Sequence, residues 1–134
     1  MIRATLFAFV GSCLGFLGAV ASADDANPDK VSFYKQIRPI FQAHCQGCHQ
    51  PAKAGGGFVM TSFDRLLLAG ESGEKGIVPG QPAASHLLEE ITPKDGKAEM
   101  PKDKSPLSQI EIDQIRKWIE QGAVDDTPIN AVSK

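Results

Sequence analysis

Apolar residues recur at helical spacing in several short segments of the chain. The first segment carries four of them, at Phe33, Ile37, Ile40 and Phe41, and this spacing predicts helical structure. Pro39 interrupts the segment, and proline suits the first turn of a helix. We therefore expect a turn over residues 33–38 and a helix from Pro39 to Cys45, with Phe41 facing the core.

Two further short helices are predicted in the middle of the chain. Thr61 or Ser62 can cap a helix that runs to Ala69, and Gly70 can end it. A third helix is expected from about Pro82 to Ile91, where the apolar residues are Leu87, Leu88 and Ile91.

The last helix has the clearest sequence signals. Ser108 and Glu111 have the spacing of a capping box, and Leu107 and Ile112 that of a hydrophobic staple. An apolar stripe follows, consisting of Ile112, Ile115, Trp118 and Ile119, and Gly122 can end the helix. We expect Trp118 to pack near Phe41. Since no convincing pair of strands is visible, the pattern predicts an all-α domain of about four short helices.

The first 23 residues have the pattern of a secretory signal peptide. Arg3 precedes an apolar stretch, and Ala21-Ser22-Ala23 is typical of a cleavage site. An uncleaved helical anchor and a lipoprotein signal at Cys13 are alternatives, and each of the three would export the protein. We expect a signal peptide at 1–23, a disordered lead-in at 24–31, one domain at 32–124 and a tail at 125–134.

The charge of the chain is mild. It has 14 basic and 16 acidic side chains, and loss of Arg3 with the signal would leave 13 basic ones. This composition argues against a nucleic-acid partner. We expect an exported monomer, periplasmic or otherwise extracytoplasmic, with no membrane span after cleavage.

The segment Cys45-Gln46-Gly47-Cys48-His49 is the strongest chemical signal. C-x-x-C-H is the attachment motif of a c-type haem: two thiols one helical turn apart bind the porphyrin, and the adjacent imidazole binds the iron. Half a zinc site, a redox-active dithiol and a plain disulfide are the alternatives. No second pair of Cys or His residues completes a zinc site, and no strand-rich pattern indicates a thioredoxin-like unit.

A second axial ligand should close the other side of the iron. Met100 lies in a polar loop and precedes Pro101, which stiffens the backbone. We favour Met100 over Met60, which follows an apolar run and suits core packing, and over His86, which suits a surface position. His44 should point away from the iron.

The chain resembles the cytochrome c family, class I in general layout, and more specifically the short cytochrome c domain of planctomycete proteins. The matching stretches are Phe33 to Phe41, Cys45 to His49, Gly70 to Gly73, Val78 to Gly80, Ser85, Met100-Pro101 and Ile115 to Ala123. The resemblance implies one haem c held covalently by Cys45 and Cys48, with His49 as proximal and Met100 as distal iron ligand. It also implies a small fold in which the first and last helices cross around the haem.

Two classes of function follow from these expectations. The first is a non-enzymatic electron carrier that exchanges one electron with an unidentified redox partner protein. The second is a haem enzyme or sensor, peroxidase-like or gas-binding, whose sixth iron position is open or displaceable. No distal acid–base pair is evident in the sequence, although His86 and the loop at Glu71 are candidates. A haem-free dithiol protein is a third, weaker reading.

Overall fold

The computed structural model describes residues 27–131, so the predicted signal peptide and the termini beyond this range lie outside the described residues. Within this range there are four α-helices: α1 (Arg38–His44), α2 (Phe63–Leu66), α3 (His86–Ile91) and α4 (Gln109–Glu120). Two strands, β1 (His49–Gln50) and β2 (Lys53–Ala54), follow α1. A π-helical turn (Phe33–Ile37) precedes α1, and 3-10 turns occur at Gly55–Gly57, Pro82–Ala84 and Ile129–Ala131.

The prediction of an all-α class is wrong. β1 and β2 form a two-stranded antiparallel sheet that pairs His49 with Ala54 and Gln50 with Lys53, so the fold is mixed. Each strand has two residues, which is too short for an alternating apolar pattern to become visible in the sequence. The sheet begins at the histidine of the C-x-x-C-H motif and therefore belongs to the candidate site.

The first helical segment begins one turn before the predicted helix. The Ser32 hydroxyl accepts a hydrogen bond from the Lys35 N–H at 3.0 Å, and the Ser32 carbonyl accepts from the Ile37 N–H at 3.2 Å. These bonds close a π-helical turn that continues into α1, where Pro39 occupies the first turn. Proline is tolerated there because the first N–H groups of a helix have no partner within it.

The third helix is shorter than predicted because Ser85 interrupts it. Its backbone is extended, with φ −92° and ψ 103°, and separates the 3-10 turn at 82–84 from α3. The Ser85 side chain is buried; its hydroxyl donates to the Gln81 carbonyl at 2.9 Å and accepts from the Val78 N–H at 2.9 Å. The polar side chain thus joins the loop to the start of α3.

The core is built on α4. The predicted capping box is present, with Ser108 and Glu111 each accepting from the other's backbone N–H. Trp118 is buried, stacks on Phe33 at 5.4 Å between ring centroids, and contacts Phe41 edge-on at 6.3 Å as predicted. Its indole N–H donates to the Val124 carbonyl at 3.0 Å. α4 therefore packs against the segment that carries the C-x-x-C-H motif.

Candidate functional site

The C-x-x-C-H motif forms a tight turn at the end of α1. The N–H groups of Cys48 and His49 both donate to the Cys45 carbonyl, at 3.1 and 3.0 Å. These bonds hold the two thiols one turn apart, as thioether attachment to a single porphyrin requires. Cys45 is half-buried and packs against the core, whereas Cys48 is exposed. Neither forms a disulfide within residues 27–131.

The imidazole of His49 is fixed by one hydrogen bond. Its Nδ1 lies 3.1 Å from the Phe58 carbonyl oxygen. Because a carbonyl oxygen can only accept, Nδ1 carries the proton, and a neutral ring then has its lone pair on Nε2. The Phe58 ring also contacts the imidazole edge-on, at 5.9 Å between centroids. A histidine held in this way presents Nε2, the nitrogen through which it would coordinate if it served as a metal ligand.

Glycines allow the backbone to approach closely behind Phe58. A Cβ on Gly76 would lie 2.4 Å from the Phe58 ring, and one on Gly70 would lie 2.6 Å from the Gly56 carbonyl oxygen. The Gly55 N–H donates to the Cys48 carbonyl at 3.0 Å, so the 55–57 turn is joined to the motif. Sequence reasoning assigned Gly70 only a helix end and Gly76 only a loop, since nothing in the sequence indicates their packing.

All four predicted site residues, Cys45, Cys48, His49 and Met100, line one cavity of about 490 Å³. This volume lies within the range of about 300–1,000 Å³ that cofactor sites usually have. The apolar part of the wall is formed by Phe58, Met60, Leu87, Ile91 and Leu107. Two thiols, an oriented imidazole, a thioether and an apolar wall are the donor set and surface that a covalently bound haem needs. The residues therefore fit a haem.

Met60 and Met100, the two methionines considered as the second iron ligand, both line this cavity. Met100 is half-buried, and its N–H donates to the Glu90 carbonyl of α3 at 2.9 Å. Met60 is 3% exposed and belongs to the core; its N–H donates to the His49 carbonyl at 2.8 Å. Met60 thus has the core position expected for it, and the choice of Met100 as iron ligand stays a prediction.

His86 lies beside the candidate site and is surrounded by carboxylates. Its Nδ1 is 3.4 Å from Glu74 and 3.6 Å from Glu89, and its Nε2 is 3.3 Å from Glu90. His86, Glu74 and Glu90 line a second cavity of about 220 Å³ that shares His49 and Met100 with the first. Sequence reasoning identified His86 but missed its carboxylate neighbours. His86 also lines a larger cleft of about 600 Å³, and among the described residues none that lines this cleft belongs to the C-x-x-C-H motif.

The Cys45 thiol differs in its ionisation from a reactive cysteine. Burial raises the pKa of the Cys45 thiol to about 11, whereas reactive or metal-bound thiols have lowered pKa values.

His44 lines the cavity, and its Nε2 lies 3.1 Å from Glu111 Oε1 in the capping box of α4. This pair links the residue before Cys45 to the last helix.

Residues 45–104, just under half of the chain, match the family model described as Planctomycete cytochrome C. The resemblance to the planctomycete-type cytochrome c domain is confirmed. The match includes all four candidate site residues. No curated protein and no solved structure matched the chain.

The match of residues 45–104 to a cytochrome c family model suggests a c-type cytochrome, whose cofactor would be haem c. Among residues 27–131, no three His, Cys, Asp or Glu side chains are grouped as a separate metal site would require. Over the same range, no helix has the length and apolar character to cross a membrane.

Proposed function

We propose that this cytochrome carries one electron at a time outside the cytoplasm, as a monomer that serves a redox partner protein. One haem c would be attached through Cys45 and Cys48, with His49 and Met100 as the two iron ligands. The observation that carries the proposal is that these four residues line a single cavity of about 490 Å³. When bound, the haem would supply the one-electron couple of its iron.

The chain's own residues would tune that couple in three ways. The Phe58 carbonyl accepts from His49 Nδ1, which fixes the ring and strengthens Nε2 as a ligand. A methionine thioether favours the reduced iron, and the apolar wall excludes water and favours the state of lower charge. All three act on the reduction potential, and none requires an acid–base residue.

The two methionines provide the test of ligation. Ferric haem bound to a thioether has a weak sulfur-to-iron band in the far red, and we expect this band in the holoprotein. Met100→Ala should abolish it. Met60→Leu is the matched control, because it removes the other sulfur while conserving core volume. Loss of the band in Met60→Leu with retention in Met100→Ala would contradict the assignment.

A haem enzyme or sensor is the second candidate, favoured by the contact between His86 and Glu90 beside the cavity. Such a pair could move a proton if the sixth iron position were open. Rapid binding of carbon monoxide or cyanide by the untreated protein would support this candidate. Slow binding that Met100→Ala accelerates would support the electron carrier.

Export is part of the proposal because cytochrome c domains are usually extracytoplasmic. N-terminal sequencing of the protein expressed from the full chain tests it. We expect the sequence to begin at Asp24; a chain that begins at Met1 would contradict cleavage of the predicted signal.

A further inference from the structure

Gln46 occupies the first variable position of the C-x-x-C-H motif, where haem attachment and iron binding require no particular side chain. Its backbone N–H donates to the Phe41 carbonyl at 2.9 Å, which ties this position to α1. Its side chain is half-buried, and its Nε2 donates to the Met60 carbonyl oxygen at 2.8 Å. The motif thus makes a side-chain contact that the chemistry of haem attachment does not explain.

This contact belongs to a group of bonds that hold residues 58–60 against the motif. The Met60 N–H donates to the His49 carbonyl at 2.8 Å, so Met60 is bonded to the motif at both its N–H and its carbonyl. The Phe58 carbonyl accepts from His49 Nδ1 at 3.1 Å, the longest of these three distances. Because Met60 is only 3% exposed, its carbonyl oxygen would be left buried and unpaired without Gln46. Such a group is costly, so we expect residues 58–60 to move if the Gln46 donor is lost.

The bond from Gln46 to Met60 also lies between two cavities. Met60 lines the cavity of about 490 Å³ that contains the candidate site residues, and it also lines a cavity of about 350 Å³. Gln46 lines only the smaller of these two cavities. Met60 is therefore part of the wall between them, and Gln46 holds it from the side of the smaller cavity. Loss of the bond has two conceivable effects at the site, namely displacement of Phe58 and entry of water.

We propose that Gln46 is a positioning residue for the iron ligand, because its amide keeps the Phe58 carbonyl within hydrogen-bonding distance of His49 Nδ1. This inference rests on the proposed function, in which His49 binds the haem iron. A hydrogen bond at Nδ1 makes the imidazole a stronger ligand, which favours the ferric state and lowers the reduction potential. Gln46 therefore lowers the potential through Phe58 and not by contact with the iron.

Two replacements at position 46 remove the amide donor in different ways. Gln46→Leu leaves an apolar side chain, and Gln46→Glu leaves, near neutral pH, a carboxylate of similar shape that can only accept. In the ferrous holoprotein, NMR can follow the His49 Nδ1 proton, whose exchange with solvent reports the bond to Phe58. We expect exchange to become about threefold to tenfold faster in both variants, as loss of one hydrogen bond implies. Gln42→Leu and Gln42→Glu make the same changes at an exposed glutamine one turn earlier, and should leave the exchange unchanged.

The midpoint potential supplies the second measurement. Gln46→Leu should raise the potential and shift the equilibrium of one-electron reduction at least about threefold, or about 28 mV, since about 59 mV corresponds to a factor of ten. Water entering from the smaller cavity would act in the opposite direction, because water favours the more highly charged ferric iron. The sign of the shift therefore separates displacement of Phe58 from entry of water. Gln42→Leu should leave the potential unchanged.

Four results would overturn the proposal. Unchanged Nδ1 exchange in Gln46→Leu, with a lower free energy of unfolding, would give Gln46 a structural role only. A lower potential in Gln46→Leu would assign the effect to water. Faster exchange in only one of the two position-46 variants would tie it to charge or shape instead of the lost donor. Equal effects at positions 42 and 46 would exclude the bond to Met60 as the cause. In each case a normal pyridine haemochrome spectrum would leave the proposed function standing, whereas a wild-type protein without haem would end both proposals.

Discussion

Replacing Gly70 by alanine tests whether the backbone behind the candidate ligand is as tightly packed as the structure indicates. The added Cβ would lie 2.6 Å from the Gly56 carbonyl oxygen and 3.6 Å from the Phe58 Cβ. The Gly56 carbonyl also accepts the Glu71 N–H at 2.7 Å. Because the closest atom belongs to the backbone, the clash is relieved only if the backbone of the 55–57 turn or of Gly70 moves.

The expected cost has two parts. Overpacking a well-packed region costs about 1–3 kcal/mol, and weakening the bond between Gly56 and Glu71 costs about 0.5–1.5 kcal/mol. The change also restricts the unfolded chain, which by itself would stabilise the fold by about 0.4–1 kcal/mol. The steric terms are larger, so we expect the free energy of unfolding to fall by about 1–3 kcal/mol.

Denaturant unfolding of the holoprotein measures this change. Gly47→Ala is the control, because an added Cβ there meets no atom within 4 Å. The same displacement should reach His49 through Phe58 and alter the haem spectrum in Gly70→Ala only. A Gly70→Ala protein as stable as the wild type, or more stable, would refute the packing described here.

Three further changes test the core, the loop and the last helix. Trp118→Ala should lower the free energy of unfolding by about 3–5 kcal/mol in denaturant titrations, because it removes the central aromatic contact. Ile110→Ala is the control, since the Ile110 side chain is 73% exposed. A loss of stability in Trp118→Ala no larger than that in Ile110→Ala would contradict this. Ser85→Ala should lower the free energy of unfolding by about 1–3 kcal/mol, since the Val78 N–H and the Gln81 carbonyl lose their hydrogen-bond partner. A variant that unfolds at the same temperature as the wild type would argue against this. Burial raises the pKa of the Glu111 carboxyl group, but hydrogen bonds from Ser108 and the charge of His44 lower it more. The pKa of Glu111 in the folded protein therefore lies below its pKa in the unfolded chain. The carboxylate therefore stabilises the fold above about pH 4.3 and loses this effect as the pH falls through the folded pKa. Glu111→Gln should be less stable than the wild type at pH 7, with a difference that shrinks below about pH 4 in denaturant titrations; a difference independent of pH would contradict the shift.

Local signals predicted α4 and the end of α1 well, because capping and apolar spacing act within one segment. Ser108, Glu111 and the stripe ending at Ile119 fix α4 by short-range contacts. The sheet at His49–Gln50 and Lys53–Ala54 could not be predicted, since two-residue strands carry no periodicity. The division of the third helix at Ser85 also escaped prediction, because it depends on a bond to Val78 in a preceding loop.

The candidate site was predictable in its residue types but not in its surroundings. The order Cys45, Cys48, His49 carries the chemistry in five consecutive residues, so the motif was evident. Two features of the site lie at other points of the chain: the Phe58 carbonyl, which orients His49, and the three lysines that line the cavity, Lys53, Lys102 and Lys104. Only the fold brings them together, and neither has a sequence pattern of its own.

Intact mass measured under denaturing conditions tests the central claim, which is covalent attachment of one haem through Cys45 and Cys48. The matured, exported protein should have the mass of the chain from Asp24 plus one haem, and that mass should persist after acid and organic solvent remove any haem that is not covalently bound. A mass equal to the polypeptide alone, or lower by two hydrogens as in a disulfide, would contradict the account.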